Sequence, residues 1–280
     1  MASPSNIVAS LQSRLKNEAR FRGENVQTLL EEFALGRFFA RLAVSEYRDR
    51  LILKGAQLFR IWSDEAHRPT RDADFLGFGE PEPNALAEIF DQICATEIEE
   101  ADGLEFGPTN AEPIRDENAY DGIRVKIIAK LGNIRIPLQF DVGYGDAITP
   151  GTEQRNWTGL LGFPDTLLIT YPAETVIAEK LEAMVSLGLV NSRMKDFYDL
   201  HWLATHFNLN QASLKAAIQN TFARRQSPLP SASPVAYTPE FYEDSQKVMQ
   251  WKAFLRKNKL QAPELPQLIR TIQNHFPFPL

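Results

Sequence analysis

A chain of 280 residues with 44% hydrophobic content can bury a sizeable core and exceeds the usual single-domain size, so one large domain or two unequal ones are expected. Its single cysteine, Cys94, excludes an internal disulfide and a Cys-based zinc or iron–sulfur site, and no apolar run approaches the roughly 20 residues of a membrane span. The net charge of −6 is uneven, with ten Lys/Arg against six Asp/Glu in residues 1–60, seven against nineteen in 61–150 and thirteen against eleven in 151–280.

The acidic middle suits a cation site bordered by mildly basic flanks, while a solvated acidic loop region accounts for most of those acids. Charge enters the N-terminal residues before any apolar stretch reaches signal-peptide length, so a cytoplasmic protein with no membrane partner is expected. Apolar positions at helical spacing from Ile7 to Tyr47, among them Leu29, Leu30, Phe33, Phe38, Phe39 and Leu42, predict two or more helices. Leu51-Ile52-Leu53, Lys54-Gly55 and Leu58-Phe59-Ile61-Trp62 read as strand, tight turn and helix. A second strand runs through Asp72–Leu76 to Gly77, and a helix with Leu86, Ile89, Phe90 and Ile93 on one face runs from Pro81 to Glu100. After an acidic loop, Ile123–Leu131 and Ile134–Val142 form an antiparallel hairpin about Gly132-Asn133.

From Pro172 the pattern is helical, over 173–189, 195–206, 211–225, 239–257 and 263–275, with Ser227–Pro234 as a Pro/Ser-rich linker. The order predicts an α/β (α+β) fold with a mixed sheet. Residues 1–165 hold a helical lead-in and an α/β domain, and 166–280 a helical domain expected to complete the active-site cleft.

Alternate residues of a strand share a face, so Asp72 and Asp74 project together while Ala73 and Phe75 enter the core. Adjacent carboxylates repel unless a proton or a divalent cation compensates, and Mg²⁺ (or Mn²⁺) takes such oxygens while keeping positions for substrate phosphates. Asp-x-Asp is also common on surface loops. Asp141, breaking an apolar strand end, is either a third carboxylate of the same cluster or an acid facing water. Lys54-Gly55-Ala56 lies at a strand-to-helix junction, where backbone N–H groups receive phosphate, although no Walker loop is present. Lys180 shares a helix face with Val176, Ile177, Ala183 and Met184, whereas Glu179 and Glu182 fall on the polar face. A lysine there either pairs with a carboxylate, for which Asp196 and Asp199 are candidates, or reaches a triphosphate. The four histidines lack zinc spacing, no nucleophile elbow or dinucleotide turn appears, and Trp202, Phe207, Phe222, Tyr242 and Trp251 fit helix cores better than a base-stacking platform.

The ordered set Leu53-Lys54-Gly55-Ala56, Arg71-Asp72-Ala73-Asp74-Phe75, Phe140-Asp141-Val142-Gly143-Tyr144-Gly145-Asp146, Ala178 to Ala183 and Arg193 to Leu200 resembles the AbiEii/MenT family of nucleotidyltransferase-like toxins, from type IV toxin–antitoxin and abortive-infection systems. The resemblance spans roughly residues 10–205 and implies a polymerase-β-like nucleotidyltransferase sheet. By it, Lys54, Gly55 and Ala56 stand for the phosphate-binding turn, Asp72 and Asp74 for the metal pair and Asp141 for a third acid. Lys180 stands for the nucleotide-contacting lysine, Asp196 or Asp199 for the last acidic motif, and Arg71 for a helper at the phosphates or the partner of an acid. The family turn commonly carries a second Gly or a Ser where this chain has Ala56. The implied activity is transfer of NMP from an NTP to an acceptor hydroxyl, with RNA, particularly the tRNA 3′ end, as acceptor and an antitoxin as partner. Two rivals remain on sequence grounds: modification of a protein hydroxyl, or phosphoryl transfer, on the same scaffold, and an inert module that binds a nucleotide or an antitoxin.

Overall fold

The two helices expected at the N-terminus form as α1 (Pro4–Arg22) and α2 (Val26–Val44), parted where Gly23 adopts φ +67° and the Asn25 side chain caps α2 by accepting from Gln27 N at 2.8 Å. The structure, a computed structural model, describes residues 4–63, 67–114 and 122–280, among which there are ten α-helices and eight strands. Strand β1 (Leu51–Lys54) turns through Gly55 into the short α3 (Gln57–Trp62), and β2 (Ala73–Gly77) returns antiparallel to β1. Helix α4 (Pro83–Ala95) is shorter at both ends than the expected 81–100. Glu82 caps its start by accepting from Ala85 N, and Thr96 is already extended. Glu97, Glu99 and Glu100 would place negative charge at the negative end of the helix dipole, so continuation is disfavoured.

The expected hairpin forms as β5 (Gly122–Leu131) and β6 (Ile134–Tyr144). Four further strands, β3 (Leu104–Phe106), β4 (Asn110–Ile114), β7 (Glu153–Trp157) and β8 (Thr166–Thr170), complete a mixed sheet of order β3-β5-β6-β2-β1-β8-β7, with β4 also on β5. The pairs β2–β6 and β1–β8 are parallel. Helix α2 covers one face of this sheet. Phe38 meets Phe140 with ring centroids 4.4 Å apart, and Phe39 meets Trp157 at 4.9 Å and Phe75 at 6.2 Å, all buried.

The chain divides into two compact units, Met1–Gly145 with Glu153–Thr170, and Asp146–Thr152 with Tyr171–Leu280. A cut at 165/166 falls just before β8, which pairs with β1 and so belongs with the sheet. The second unit is built of α5 (Ala173–Leu187), α6 (Met194–His206), α7 (Gln211–Arg224), α8 (Pro239–Tyr242), α9 (Ser245–Asn258) and α10 (Leu265–His275). The single helix expected over 239–257 is broken because the Asp244 side chain caps a new helix, accepting from Lys247 N at 2.9 Å. Helix α5 packs along α7 and α6 along α10, around Phe197, Leu200, Leu203, Phe222, Phe241, Trp251, Ile269 and Ile272. Among the described residues no helix is long and apolar enough to cross a membrane.

Candidate active site

Hydrogen-bond register in the first unit sets four charged residues in one row across four strands. Arg124 of β5 is paired with Asp141 of β6, Asp141 with Asp74 of β2, and Asp74 with Lys54 of β1. Residues directly opposite in a ladder point to the same side, so the row runs cation, carboxylate, carboxylate, cation on one face. The neighbours Ala73, Phe75, Phe140 and Val142 point the other way and are fully buried. Asp72 sits one residue before β2, two positions from Asp74, and its carbonyl accepts from Gln57 Nε2 at 3.2 Å and Thr70 Oγ1 at 3.3 Å.

Gly55 completes this corner. Its φ is +72°, and a Cβ there would lie 2.7 Å from Cγ and 2.8 Å from Cβ of Asp74. The turn therefore requires glycine both for its left-handed backbone and because the Asp74 side chain rests against it. Ala56 precedes α3 without a side-chain cap, consistent with a turn that offers backbone amides and no hydroxyl. Lys54 Nζ reaches over Gly143, 3.8 Å from where a Cβ on that glycine would stand.

Arg124 grips Asp141 through two of its nitrogens, Nε to Oδ1 at 2.8 Å and Nη2 to Oδ2 at 2.7 Å. That hydrogen bond raises the Arg124 pKa, with the nearby charges of Asp141, Asp72 and Glu112 adding to it against partial desolvation. Asp72 thus shares the electrostatic neighbourhood of the row. As donors, Asp72 and Asp74 are hard carboxylate oxygens of the kind that Mg²⁺ or Mn²⁺ takes. Among the described residues no three His, Cys, Asp or Glu side chains are gathered as a ready cation site, and both Asp141 oxygens are engaged by the guanidinium. The pair fits a cation that draws its other ligands from water and phosphate. Asp141, expected as a third ligand or as an acid facing water, stands here in an ion pair with Arg124. Arg71 is exposed, and its Nε lies 3.5 Å from Glu31 Oε2 of α2, so of its two expected roles the structure shows the pairing with an acid.

In the second unit, Lys180 of α5 lies between two acids of α6, with Nζ 2.7 Å from Asp196 Oδ1 and 2.8 Å from Asp199 Oδ2. Asp199 is wholly buried and Asp196 nearly so. Arg193, just before α6, adds a contact of 2.8 Å to Asp196 Oδ2. Burial alone would raise the Asp196 pKa, yet the charges of Lys180 and Arg193 hold it below the ordinary carboxylate value. Neither acid is a solvated helix-start residue.

The family model described as nucleotidyl transferase AbiEii toxin, type IV TA system, matches residues 37–274. The chain belongs to the AbiEii family. The match spans both units and takes in the charged row as well as the Lys180 cluster. Two Helicobacter pylori structures share the AbiEii chain's fold over 90% of its length. One is JHP933, with TM-score 0.53, 16% identity and 90% of that chain covered; the other is named as a putative nucleotidyltransferase, with TM-score 0.52, 16% identity and 93% covered. No curated protein matches the chain.

The AbiEii chain also holds a charged cluster that the sequence pattern does not reveal. Arg225, just after α7, donates to Glu182 Oε2 at 2.8 Å and to Asp146 Oδ1 at 3.2 Å, and lies 3.6 Å from Glu179. Glu182 is buried rather than on a polar helix face, and it also accepts from Ser186 and Ser227 hydroxyls at 2.5 Å each. Burial would lower the Arg225 pKa, but Glu179, Asp146 and Glu182 raise it well above its ordinary value. The buried Tyr171 hydroxyl is pushed up by desolvation and by Glu179 and Asp146. Helical parity marks Glu182 as polar; its burial is offset by the Ser186 and Ser227 hydroxyls together with Arg225, which hold its pKa below the ordinary value, and of these only Ser186 is local in sequence. Arg124 was likewise outside the expected site, though its signal was present. From the Gly132-Asn133 turn, which pairs Leu131 with Ile134, counting seven residues outward on each strand sets Arg124 opposite Asp141.

Proposed function

We propose that this AbiEii chain transfers a nucleoside monophosphate from an NTP to a hydroxyl of an RNA, the tRNA 3′ end, acting as the toxin of a type IV system whose antitoxin is its protein partner. The observation that carries the reading is the transverse row Arg124–Asp141–Asp74–Lys54 with Asp74 braced on Gly55. The row presents Asp74 and Asp141 between two cations on one face, and Asp72, two residues before Asp74, lies close enough for its charge to be felt by Arg124. Asp72 and Asp74 are the residues that hold Mg²⁺ or Mn²⁺, which when bound neutralises charge on the phosphates. Lys54 and the amides of Gly55 and Ala56 draw the triphosphate to that corner through charge and hydrogen bonding. The acceptor oxygen forms a bond to Pα as the bond from Pα to the pyrophosphate oxygen breaks, and the hydroxyl proton leaves to water. Lys180 is assigned a nucleotide contact. Asp196 and Asp199, buried on its ammonium, are assigned its positioning, so that Asp199 acts through the lysine rather than on the nucleotide itself.

The test is incubation with each of the four NTPs labelled at the α-phosphate, together with total RNA, with and without Mg²⁺. Label should enter RNA only with the cation and be abolished in Asp74→Ala and Asp72→Ala. Label entering protein alone would overturn the RNA acceptor, and transfer of a γ-label would overturn nucleotidyl transfer.

A further inference from the structure

Charge along the second unit is not spread evenly. From Ser245 to Pro263 the chain carries five cations and no acid, in a protein of net charge −6. One of the five, Lys247, is buried and donates to Asn191 O at 2.9 Å. The other four, Lys252, Arg256, Lys257 and Lys259, are exposed on the last turns of α9 and its left-handed cap. Lys252, Arg256 and Lys259 follow one another by four and three residues, which stacks them on one side of a helix over about 10 Å. About 100° round the helix from Lys252, Trp251 is fully buried and its Nε1 donates to Pro263 O at 3.1 Å, and Lys247 is buried further round the same side. The stripe therefore faces out by construction. Only Lys252 meets an acid, exposed Glu264 at 3.8 Å, while Arg256, Lys257 and Lys259 have no carboxylate within 4.0 Å among the described residues. Such a row repels itself, and it persists at low cost only where a polyanion or salt screens it.

We infer that the exposed face of α9 is a phosphate-backbone docking surface for the RNA acceptor. This rests on the reading of RNA as the acceptor and locates where that RNA is held. Composition favours RNA over an acidic protein. Protein interface cores are poor in lysine and rich in aromatic anchors, whereas this face offers three lysines and an arginine with Met249 as its one exposed large apolar side chain. Interfaces with nucleic acid are strongly positive and polar, and contacts of this type position the backbone without reading sequence. The surface should accordingly be indifferent to the sequence of the RNA bound.

The experiment uses the full chain and a variant with Lys252→Ser, Arg256→Ser and Lys259→Ser. Binding of a tRNA pool is measured by filter retention across a salt series, poly-glutamate serves as an acidic protein probe, and nucleotide transfer is measured on both tRNA and a trinucleotide acceptor. Removal of three phosphate contacts should weaken tRNA binding about tenfold or more, flatten the dependence of log affinity on log salt by about two to three, and raise KM for tRNA. Transfer to the trinucleotide and the melting temperature should be unchanged. Unaltered tRNA affinity and salt slope would overturn the proposal, as would loss of poly-glutamate binding alone, which would assign the face to a protein. If the wild type binds tRNA through α9 yet labels only protein, the surface stands and the acceptor reading fails, so the two are separable.

Discussion

Substituting Gly55 tests whether the turn after β1 holds Asp74, the carboxylate proposed to be catalytic. The residue sits at φ +72°, and an added Cβ would stand 2.7 and 2.8 Å from Cγ and Cβ of Asp74, so turning the carboxylate about χ2 does not relieve the clash. Gly23 is a matched control: its φ is +67° and a Cβ there meets nothing within 4 Å. Gly23→Ala should cost only the left-handed backbone of an L-residue, about 1–2 kcal/mol. Gly55→Ala carries that same cost together with overpacking of about 1–3 kcal/mol as the turn and β2 move apart. If Asp74 has the proposed catalytic role, the larger effect is on chemistry, because displacing a catalytic group by about 1 Å costs on the order of 100-fold in rate. Melting curves for both variants and Mg²⁺-dependent label transfer at a temperature where both are folded separate the two contributions. The reasoning is refuted if folded Gly55→Ala transfers nucleotide within about twofold of Gly23→Ala.

Arg124→Met releases Asp141, and since both partners are partly exposed the stability change should stay within about 1 kcal/mol. If Asp141 belongs to the cation site, Mn²⁺ binds more tightly in the variant by calorimetry; an unchanged affinity removes Asp141 from the ligand set. Buried Asp102 accepts from Arg37 Nε at 3.1 Å and Arg41 Nη1 at 2.7 Å, and although burial raises its pKa, the Arg41 hydrogen bond and charge bring it below 3.8. A lowered folded-state value gives stability that is full above the ordinary value and lost as pH falls through the lowered one. Asp102→Asn should therefore cost about 3–5 kcal/mol at neutral pH, with the gap in melting temperature to wild type closing below about pH 4; a gap constant with pH contradicts this. Lys180→Met strands two buried acids and should destabilise by a similar amount, with Asp199→Asn added to it recovering part of the loss.

The parts of the fold legible in sequence are those specified by short-range pattern. The β5–β6 hairpin combines strand-period burial with Gly132 at φ +62°, the β1 turn is marked by a short apolar run closed by Gly55 at φ +72°, and β2 shows through Asp74 between the buried Ala73 and Phe75. β4, with a proline and little alternation, and β7, Glu-Gln-Arg-Asn-Trp, carry no such pattern and form because β5 and β8 supply ladders for them. The excursion of 146–152 into the second unit, before β7 and β8 rejoin the sheet, is a long-range arrangement to which no local composition corresponds.

Lys180 marks the boundary between what a pattern shows and what it explains. An ammonium on the apolar side of α5 demanded a counter-charge, and Asp196 and Asp199, three residues apart on α6, supply it within the same unit. The position of the lysine is thereby accounted for electrostatically, so its anomalous helix face no longer argues by itself for a triphosphate. A nucleotide role must show as something a structural ion pair does not produce. In Lys180→Met with Asp199→Asn, restored melting temperature together with a raised KM for NTP assigns the lysine to the nucleotide; restored melting and wild-type KM assign it to the fold alone. On the sheet the same demand applies to Asp74, which packs against Gly55 and whose register neighbours bring one cation and one further carboxylate to the same face, so its role too must show as loss of cation-dependent transfer in a folded variant.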